Sequence, residues 1–387
     1  MHKILILSDW FYPAYKAGGP ITSLKNLVNV LREMVKVSVL TSAYDLGEHK
    51  ILDNIVPDVW QQAGDKTRIK YLTNSKKIIT ELEKEEFDTI YLNSMFSPDF
   101  TLKPLLFAKR KGILNKIILA PRGMLQAGAL KQKPLKKKAF LLFFRLTGIA
   151  NKIHFHATDE QEKEDILKVF PKAKKITVIP NPVSEPSQDK RLKACPEFIS
   201  GTKEKRKLQL VYLSVISSKK NLKYLIELFS KINFEIDFDV YGSIKDKTYW
   251  DSFVEQIKVL KNINFNYKGD VPNHLVTETL SKYDYFILPT LGENFGHAIY
   301  EALSTGTPVI ISDKTPWQNL EHHKAGWDIS LDNPEAFIEV LNKCAGMDNE
   351  EYQQWSKGAF NFAKKYYEEH DVTEDYLRMF EVYKFKE

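Results

Sequence analysis

Cysteine is scarce in this sequence, with only Cys195 and Cys344 among 387 residues. Two thiols so far apart make neither a disulfide framework nor a metal-ligand spacing, so a reducing cytoplasm is the expected setting. Long apolar runs are missing too. No stretch reaches the roughly 18 residues that a membrane span needs, so none is expected to cross a bilayer. The opening residues, MHKILILSDWFYP, hold only a short apolar run with no cleavage site after it, which does not make a secretory signal. Charge of one sign is also lacking: a net value of +6 is too mild to imply a nucleic-acid partner. The remaining composition, 43% hydrophobic and 27% charged, is that of a soluble globular protein. The length favours two domains over one core.

One stretch organises the rest: Tyr283–Trp317, YDYFILPTLGENFGHAIYEALSTGTPVIISDKTPW. Tyr285–Leu288, bounded by Pro289, reads as a buried strand. A polar loop, Gly292-Glu293-Asn294-Phe295-Gly296, leads into a helix with apolar positions at Ile299, Ala302 and Leu303. Gly306-Thr307-Pro308 stops it, and Val309–Ser312 is the next strand. Together these form a βαβ unit, and ligands of open α/β sheets sit where strands end and helices begin. Glu293 and Glu301 flank the helix start. Were the segment between them wholly helical, they would lie about 12 Å apart along its axis. That span suits a ligand with hydroxyls at both ends and a diphosphate between, held at the positive helix terminus.

Glu-x7-Glu enclosing Asn-Phe-Gly, followed by Glu-Ala-Leu-x-x-Gly-x-Pro-Val-Ile, resembles the donor site of group 1 (family 4) retaining glycosyltransferases of the GT-B fold. The resemblance implies an α/β architecture of two Rossmann-like, doubly wound domains facing a cleft, with a C-terminal helix crossing back to the first. With the boundaries at 1–185, 206–368 and 369–387, the resemblance implies an acceptor-binding domain, a nucleotide-sugar-binding domain and the returning helix in turn. Ser184–Arg206, polar and proline-dotted, is the linker candidate.

Taken in order, Lys3–Leu7 is a buried strand. An aromatic loop follows, ending in Gly18-Gly19-Pro20, and then a helix carries Leu24, Leu27, Val28 and Leu31 on one face. Gly18 and Gly19 let backbone amides approach an anion or sugar; a plain turn is the simpler reading. The resemblance implies a loop facing the cleft, with Gly18 and Gly19 binding the donor. Val37–Thr41 is a strand, Tyr44–Ser75 gives no clear pattern, Ile78–Lys84 is helical and Asp88–Leu92 is a strand. After that strand many relatives carry a histidine that meets the donor sugar. Asn93 stands in its place, so that role is either lost or passed to Asn93, and we group Asn93 with Arg122 as acceptor-binding. Arg122 lies in Pro121-Arg122-Gly123 at the end of the strand Lys116–Ala120, where a phosphate or carboxylate could be gripped. Lys131–Arg145 joins a basic cluster to Phe140, Leu141, Leu142, Phe143 and Phe144. A solvated helix start docked by its apolar side is one reading, and a surface for anionic lipid heads is the other. Lys152–His156 is a strand whose two histidines share a face without a metal-ligand set. Asp159-x-x-Glu162 reads as a capping box, and Ile176–Ile179 is a strand closing the first domain.

Leu208–Val215 restarts the strand–helix alternation. The turn Ser217–Leu222 matches a family segment in which an arginine and a lysine clasp the donor diphosphate. Lys220 matches the lysine. Val215 occupies the arginine position and cannot donate to phosphate, so either Lys219 or another residue substitutes, or donor binding is weaker. Gly242, after the strand Phe238–Tyr241, lies where relatives pack the nucleotide, and Val271, after Phe265–Lys268, where they meet the base with backbone groups. Helices at Pro334–Cys344, Glu351–Tyr366 and Val372–Tyr383 finish the chain, with Tyr376, Met379, Phe380 and Tyr383 as the face for the first domain.

The implied reaction moves a sugar from a nucleoside diphosphate to an acceptor hydroxyl with retention, as in hexosyltransferases of capsule or O-antigen assembly. The expected donor is a UDP-sugar ahead of a GDP-sugar, as co-substrate with no cofactor and no metal. Lys220 and the helix start at Asn294, Phe295 and Gly296 would stabilise the departing diphosphate, with His297 beside the phosphates. Glu293 would hold the donor sugar and Glu301 the ribose, each accepting from a diol. Lys220 and Glu293 are thus the candidate catalytic residues. The expected partners are the donor and a glycan or lipid-linked acceptor, with peripheral contact at the inner face of a membrane. Another GT-B enzyme, such as an epimerase or phosphorylase, and a non-catalytic sugar-nucleotide binding protein are the alternatives.

Overall fold

The computed structural model describes residues 1–130, 134–186 and 207–382. Cys195, the linker candidate beyond Pro186, and Tyr383 lie outside them. The chain forms two compact units, Met1–Val183 with Asp371–Glu387, and Ser184–His370.

The first unit is built on an eight-stranded sheet: β1 (Lys3–Leu7), β2 (Lys36–Ser42), β3 (Trp60–Gln62), β4 (Thr67–Leu72), β5 (Thr89–Leu92), β6 (Ile117–Leu119), β7 (His154–Ala157) and β8 (Lys175–Val178). The order is β3-β4-β2-β1-β5-β6-β7-β8, and every pairing is parallel except β3 against β4. The central strands are apolar runs because both sheet faces are covered. β3 and β4 fill the stretch that showed no pattern. β3 is a short edge strand without alternation, whereas Thr67, Ile69 and Tyr71 of β4 do alternate inward. β4 sends Lys70 to Glu81 at 2.6 Å and lays Arg68 over the Trp60 ring at 4.2 Å.

The helix Thr373–Met379 belongs to this unit: Tyr376, Leu377, Met379 and Phe380 are buried in the same core as Leu24, Leu27 and Leu31 of the helix Gly19–Leu31. Its Tyr376 hydroxyl donates to the Pro180 carbonyl at 3.2 Å.

The capping box is only half formed. Asp159 accepts from the Glu162 amide at 2.7 Å, but the Glu162 carboxylate bypasses the Asp159 amide. It accepts instead from the Gly123 amide at 2.6 Å and from Thr158 at 2.8 Å. A buried carboxylate satisfies more orphan donors by tying two loops than by closing its own turn.

Both β7 histidines are structural. His154 Nε2 lies 2.7 Å from Thr177 Oγ1. Arg122 donates to the Tyr91 hydroxyl at 2.9 Å, Tyr91 to His156 Nδ1 at 2.7 Å, and His156 Nε2 to the Ile179 carbonyl at 2.9 Å. This chain needs the neutral imidazole. Burial, then the Arg122 cation, lowers the His156 pKa to about 3; burial chiefly lowers that of His154 to about 4. The unfolded histidines titrate near their ordinary value and so bind protons first as pH falls. The stability these sites provide is complete above about pH 6.5 and erodes down towards the folded values. Between pH 6.5 and 5 the loss from His156 alone should reach about 2 kcal/mol. Urea midpoints across that range, compared with those of His156→Leu, check this. The substitution should lower stability at pH 7 and flatten the slope; an equally steep slope in the variant rules the histidine out.

The second unit holds β9 (Leu208–Leu213), β10 (Ile236–Tyr241), β11 (Ile263–Gly269), β12 (Tyr285–Leu288), β13 (Val309–Ser312) and β14 (Gly326–Ile329). They lie in the order β11-β10-β9-β12-β13-β14, all parallel. The strand order reverses between β9 and β12, so the crevice for a ligand opens where those two strands end.

Candidate functional site

The loops that leave β9 and β12 are bonded together at that switch point. The Leu291 amide donates to the Lys219 carbonyl at 2.9 Å, and Thr290 Oγ1 donates to the same oxygen at 3.3 Å. The β13 end steadies the second loop, since Ser312 Oγ donates to the Thr290 carbonyl at 2.5 Å and the Glu293 amide to the Lys314 carbonyl at 3.0 Å. Lys220 and Glu293, far apart in sequence, therefore meet as a largely enclosed ion pair. Lys219, beside them, has its pKa lowered, first by its packed surroundings and also by Lys220, against the opposing pull of Glu293.

The helix begins where the polar loop ends, as the sequence pattern placed it. It spans His297–Ser304, with Gly296 at its N-cap in left-handed conformation (φ 80°) and no side-chain cap. Glu293 thus stands in the loop and Glu301 well inside the helix, so the 12 Å span of a continuous helix does not apply. Glycine at 296 keeps the turn possible, since a Cβ there would lie 2.9 Å from Ile299 Cδ1 on a backbone that side chains disfavour. No side chain caps this N-terminus, and the N–H dipoles of a helix start favour an anion.

Phe295 packs inward. Its ring lies 5.2 Å from that of Trp317 and 4.7 Å from that of His297, and its carbonyl accepts from Trp317 Nε1 at 2.5 Å. Asn294 and Glu301 lie on the loop and the helix as expected, both partly exposed.

Gly242 ends β10 against the β9 loop (φ 131°), and a Cβ there would lie 1.9 Å from the Ser214 carbonyl oxygen. Only glycine fits. This close approach lets the Ile216 amide donate to the Ser243 carbonyl at 2.9 Å and the Lys245 amide to the Ile216 carbonyl at 3.1 Å. Lys245, which no motif marks, is thereby brought beside the Lys219–Lys220 turn. Val215 lies in the same loop, and Val271 follows β11 in the neighbouring one.

In the first unit the sheet order reverses between β1 and β5. Gly18 caps the helix Gly19–Leu31 (φ 69°) after β1. Asn93 follows β5, and its Oδ1 accepts from Arg122 Nε at 2.8 Å. Arg122 also donates to Asn181 and Tyr91. Its guanidinium therefore braces three segments of its own unit, a use of the fork that its place at a strand end did not reveal. Asp9, unmarked by any motif, also follows β1. Burial raises its pKa, although Ser97 Oγ donates to it at 2.7 Å. Its position directly after the first strand was the available signal.

Among the described residues no three His, Cys, Asp or Glu side chains cluster as a metal site, and no helix is long and apolar enough to cross a membrane.

Residues 197–362 match the family described as glycosyl transferases group 1. No curated protein matches the chain. Among solved structures, HepE of Anabaena in complex with UDP and glucose superposes with TM-score 0.67 at 16% identity, over 99% of this chain and 100% of that one. Sucrose-phosphate synthase from Thermosynechococcus elongatus gives 0.69 at 14% identity, over 99% of each chain. WaaG, a glycosyltransferase involved in lipopolysaccharide biosynthesis, gives 0.64 at 14%, over 98% of this chain and 99% of that one. The fold is that of the GT-B glycosyltransferases.

Proposed function

We propose a retaining transfer reaction for this group 1 glycosyltransferase, whose family domain occupies residues 197–362 and whose class transfers sugars from nucleotide sugars. The observation that carries the reading is the meeting of Lys219, Lys220 and Glu293 with an uncapped helix start at the switch point of the second sheet.

The leaving group is a nucleoside diphosphate, so the main task is to stabilise charge growing on it. Lys220 and the amides at the start of the helix His297–Ser304 supply that stabilisation, with Lys219 in support. Glu293 accepts hydrogen bonds from the donor sugar, and Glu301 from the two ribose hydroxyls. The bond between the sugar's anomeric carbon and the β-phosphate oxygen breaks. The acceptor oxygen bonds to the same carbon on the same face, and its proton passes to the departing phosphate. Gly242 and Val271 flank the nucleotide. A UDP-sugar is placed ahead of a GDP-sugar, a preference supported by HepE, which was solved with UDP-glucose.

We place the acceptor against the strand ends of the first unit, near Asp9 and the Asn93 braced by Arg122. Between Asp99 and Asp159 the chain has no acidic residue. Within that stretch the helix Pro134–Leu146 turns Leu135 (82% exposed), Leu142 (56%) and Leu146 (79%) to solvent, beside exposed Lys136, Lys138 and Arg145. Apolar side chains rimmed by cations suit an anionic lipid surface, where a lipid-linked acceptor in bacterial glycoconjugate assembly would be met. Leu142→Glu should cut co-sedimentation with vesicles rich in anionic lipid several-fold; equal sedimentation of variant and wild type, or equal binding to neutral vesicles, removes the membrane from this reading.

The function itself is tested by thermal shift with UDP, GDP and their sugars, since a ligand of the native state raises its stability, and then by passage of labelled sugar to a glycan acceptor. Donor-dependent stabilisation with transfer, or with slow hydrolysis to free sugar, supports an enzyme. Epimerised nucleotide sugar without acceptor dependence, or binding with no turnover, would replace the reading by one of its two alternatives.

A further inference from the structure

We propose that Lys245 is a phosphate-contacting residue of the donor site, a cation for the diphosphate that joins Lys219 and Lys220. The inference rests on the donor reading above and adds to it a residue outside the turn that the motif marked.

The geometry starts with the backbone. Gly242 lets the loop after β10 approach the loop after β9 more closely than any side chain would allow. Ile216 and Ile244 then pair as a parallel bridge, held by the hydrogen bonds that Ile216 exchanges with Ser243 and Lys245. Lys245 is therefore fixed in register with the segment that carries Lys219 and Lys220 rather than trailing from a free loop.

The charges follow. The site gathers three ammonium groups and one close carboxylate, Glu293, which Lys220 already engages. Among the described residues neither Lys219 nor Lys245 has an ion-pair partner. Two acids near this loop serve elsewhere: Asp246, next in sequence, caps the following helix through the Tyr249 amide at 2.9 Å, and Asp270, after β11, accepts from Ser243 Oγ at 2.6 Å. Lys245 is exposed, yet partial screening from water, then the charge of Lys220, lowers its pKa. Cations kept together without a counter-charge destabilise the fold locally, and such arrangements mark sites that take an anion. A diphosphate carries several negative charges over two adjacent centres, so it can engage more cations than Glu293 can. Val215, in the same loop, offers no donor. Lys245 supplies the charge from the next strand's loop.

The test is titration of UDP, GDP and the matching nucleosides into wild type, Lys245→Ala, Lys245→Arg and Glu301→Ala by calorimetry, with melting temperatures measured alongside. Lys245→Ala should weaken the better-bound diphosphate about tenfold, equivalent to about 1.4 kcal/mol. It should leave nucleoside affinity unchanged and the melting temperature of the unliganded protein equal or slightly raised, and Lys245→Arg should recover most of the loss. Unchanged diphosphate affinity in Lys245→Ala, while Glu301→Ala binds more weakly, overturns the role of Lys245 and leaves the donor site standing. An equal loss for nucleoside and diphosphate also overturns it, because that pattern belongs to a distorted loop. Failure of both diphosphates to bind wild type overturns the inference together with the reading beneath it.

Discussion

Replacing Glu293 by alanine is expected to reduce sugar transfer about 10²- to 10³-fold, the usual cost of removing one preorganised polar group from a reacting centre. Nucleoside diphosphate binding should meanwhile hold or tighten. The two effects separate because Glu293 has two opposed relations. Towards the donor sugar it is an acceptor for hydroxyls. Towards Lys220 it is the counter-ion, and losing it frees that ammonium for phosphate and makes the loop more positive. Glu301, inside the helix His297–Ser304, should behave in the opposite way. Glu301→Ala ought to cost nucleotide affinity about tenfold, the scale of one or two lost hydrogen bonds. Calorimetry with the diphosphate and initial rates with the donor make the comparison. If both variants keep wild-type affinity and turnover, the two carboxylates do not hold the donor.

The second large effect concerns the chain's end. A protein stopped at His370 should lose the cooperative fold of its first unit while the second persists. Val372, Tyr376, Leu377, Met379 and Phe380 are buried in the core that also holds Ile4, Ile6, Leu24 and Tyr91. At about 1.5–3 kcal/mol per buried side chain, their removal forfeits roughly 10 kcal/mol, comparable to the whole stability of a domain. The Tyr376 hydroxyl and its bond to Pro180 go too. Limited proteolysis and circular dichroism provide the measurement. Fragments from residues 1–183 should appear quickly while the segment from 207 to 370 survives. A truncated protein that melts and resists protease as the full chain does would show the helix to be an ornament of the first unit.

Much of the site is legible in the sequence. Strand, loop, helix and strand in Tyr283–Trp317 follow from local rules: an apolar run, a glycine-flanked turn, helical spacing and a glycine–proline stop. Lys220 stands out through its matching turn. The state of these groups is not legible in the same way. No local pattern says that Glu293 is engaged by Lys220, whose turn follows a strand remote in the chain. Nor does any spacing show Arg122 bracing Asn93, Asn181 and Tyr91. Those partners come from separate segments of the chain.

The sequence by itself determined the alternation of buried strands and amphipathic helices, because burial on both faces requires apolar runs of period and length that any reader can count. It also determined which acidic and basic side chains were available. Tertiary structure decided which of them meet. The reversal of strand order beside β9 and β12 set the Lys219–Lys220 turn against Glu293. The tight approach at Gly242 added Lys245, and the last helix entered the first unit's core. Such meetings depend on strand order and on backbone distances between segments remote in the chain, quantities that no local spacing encodes.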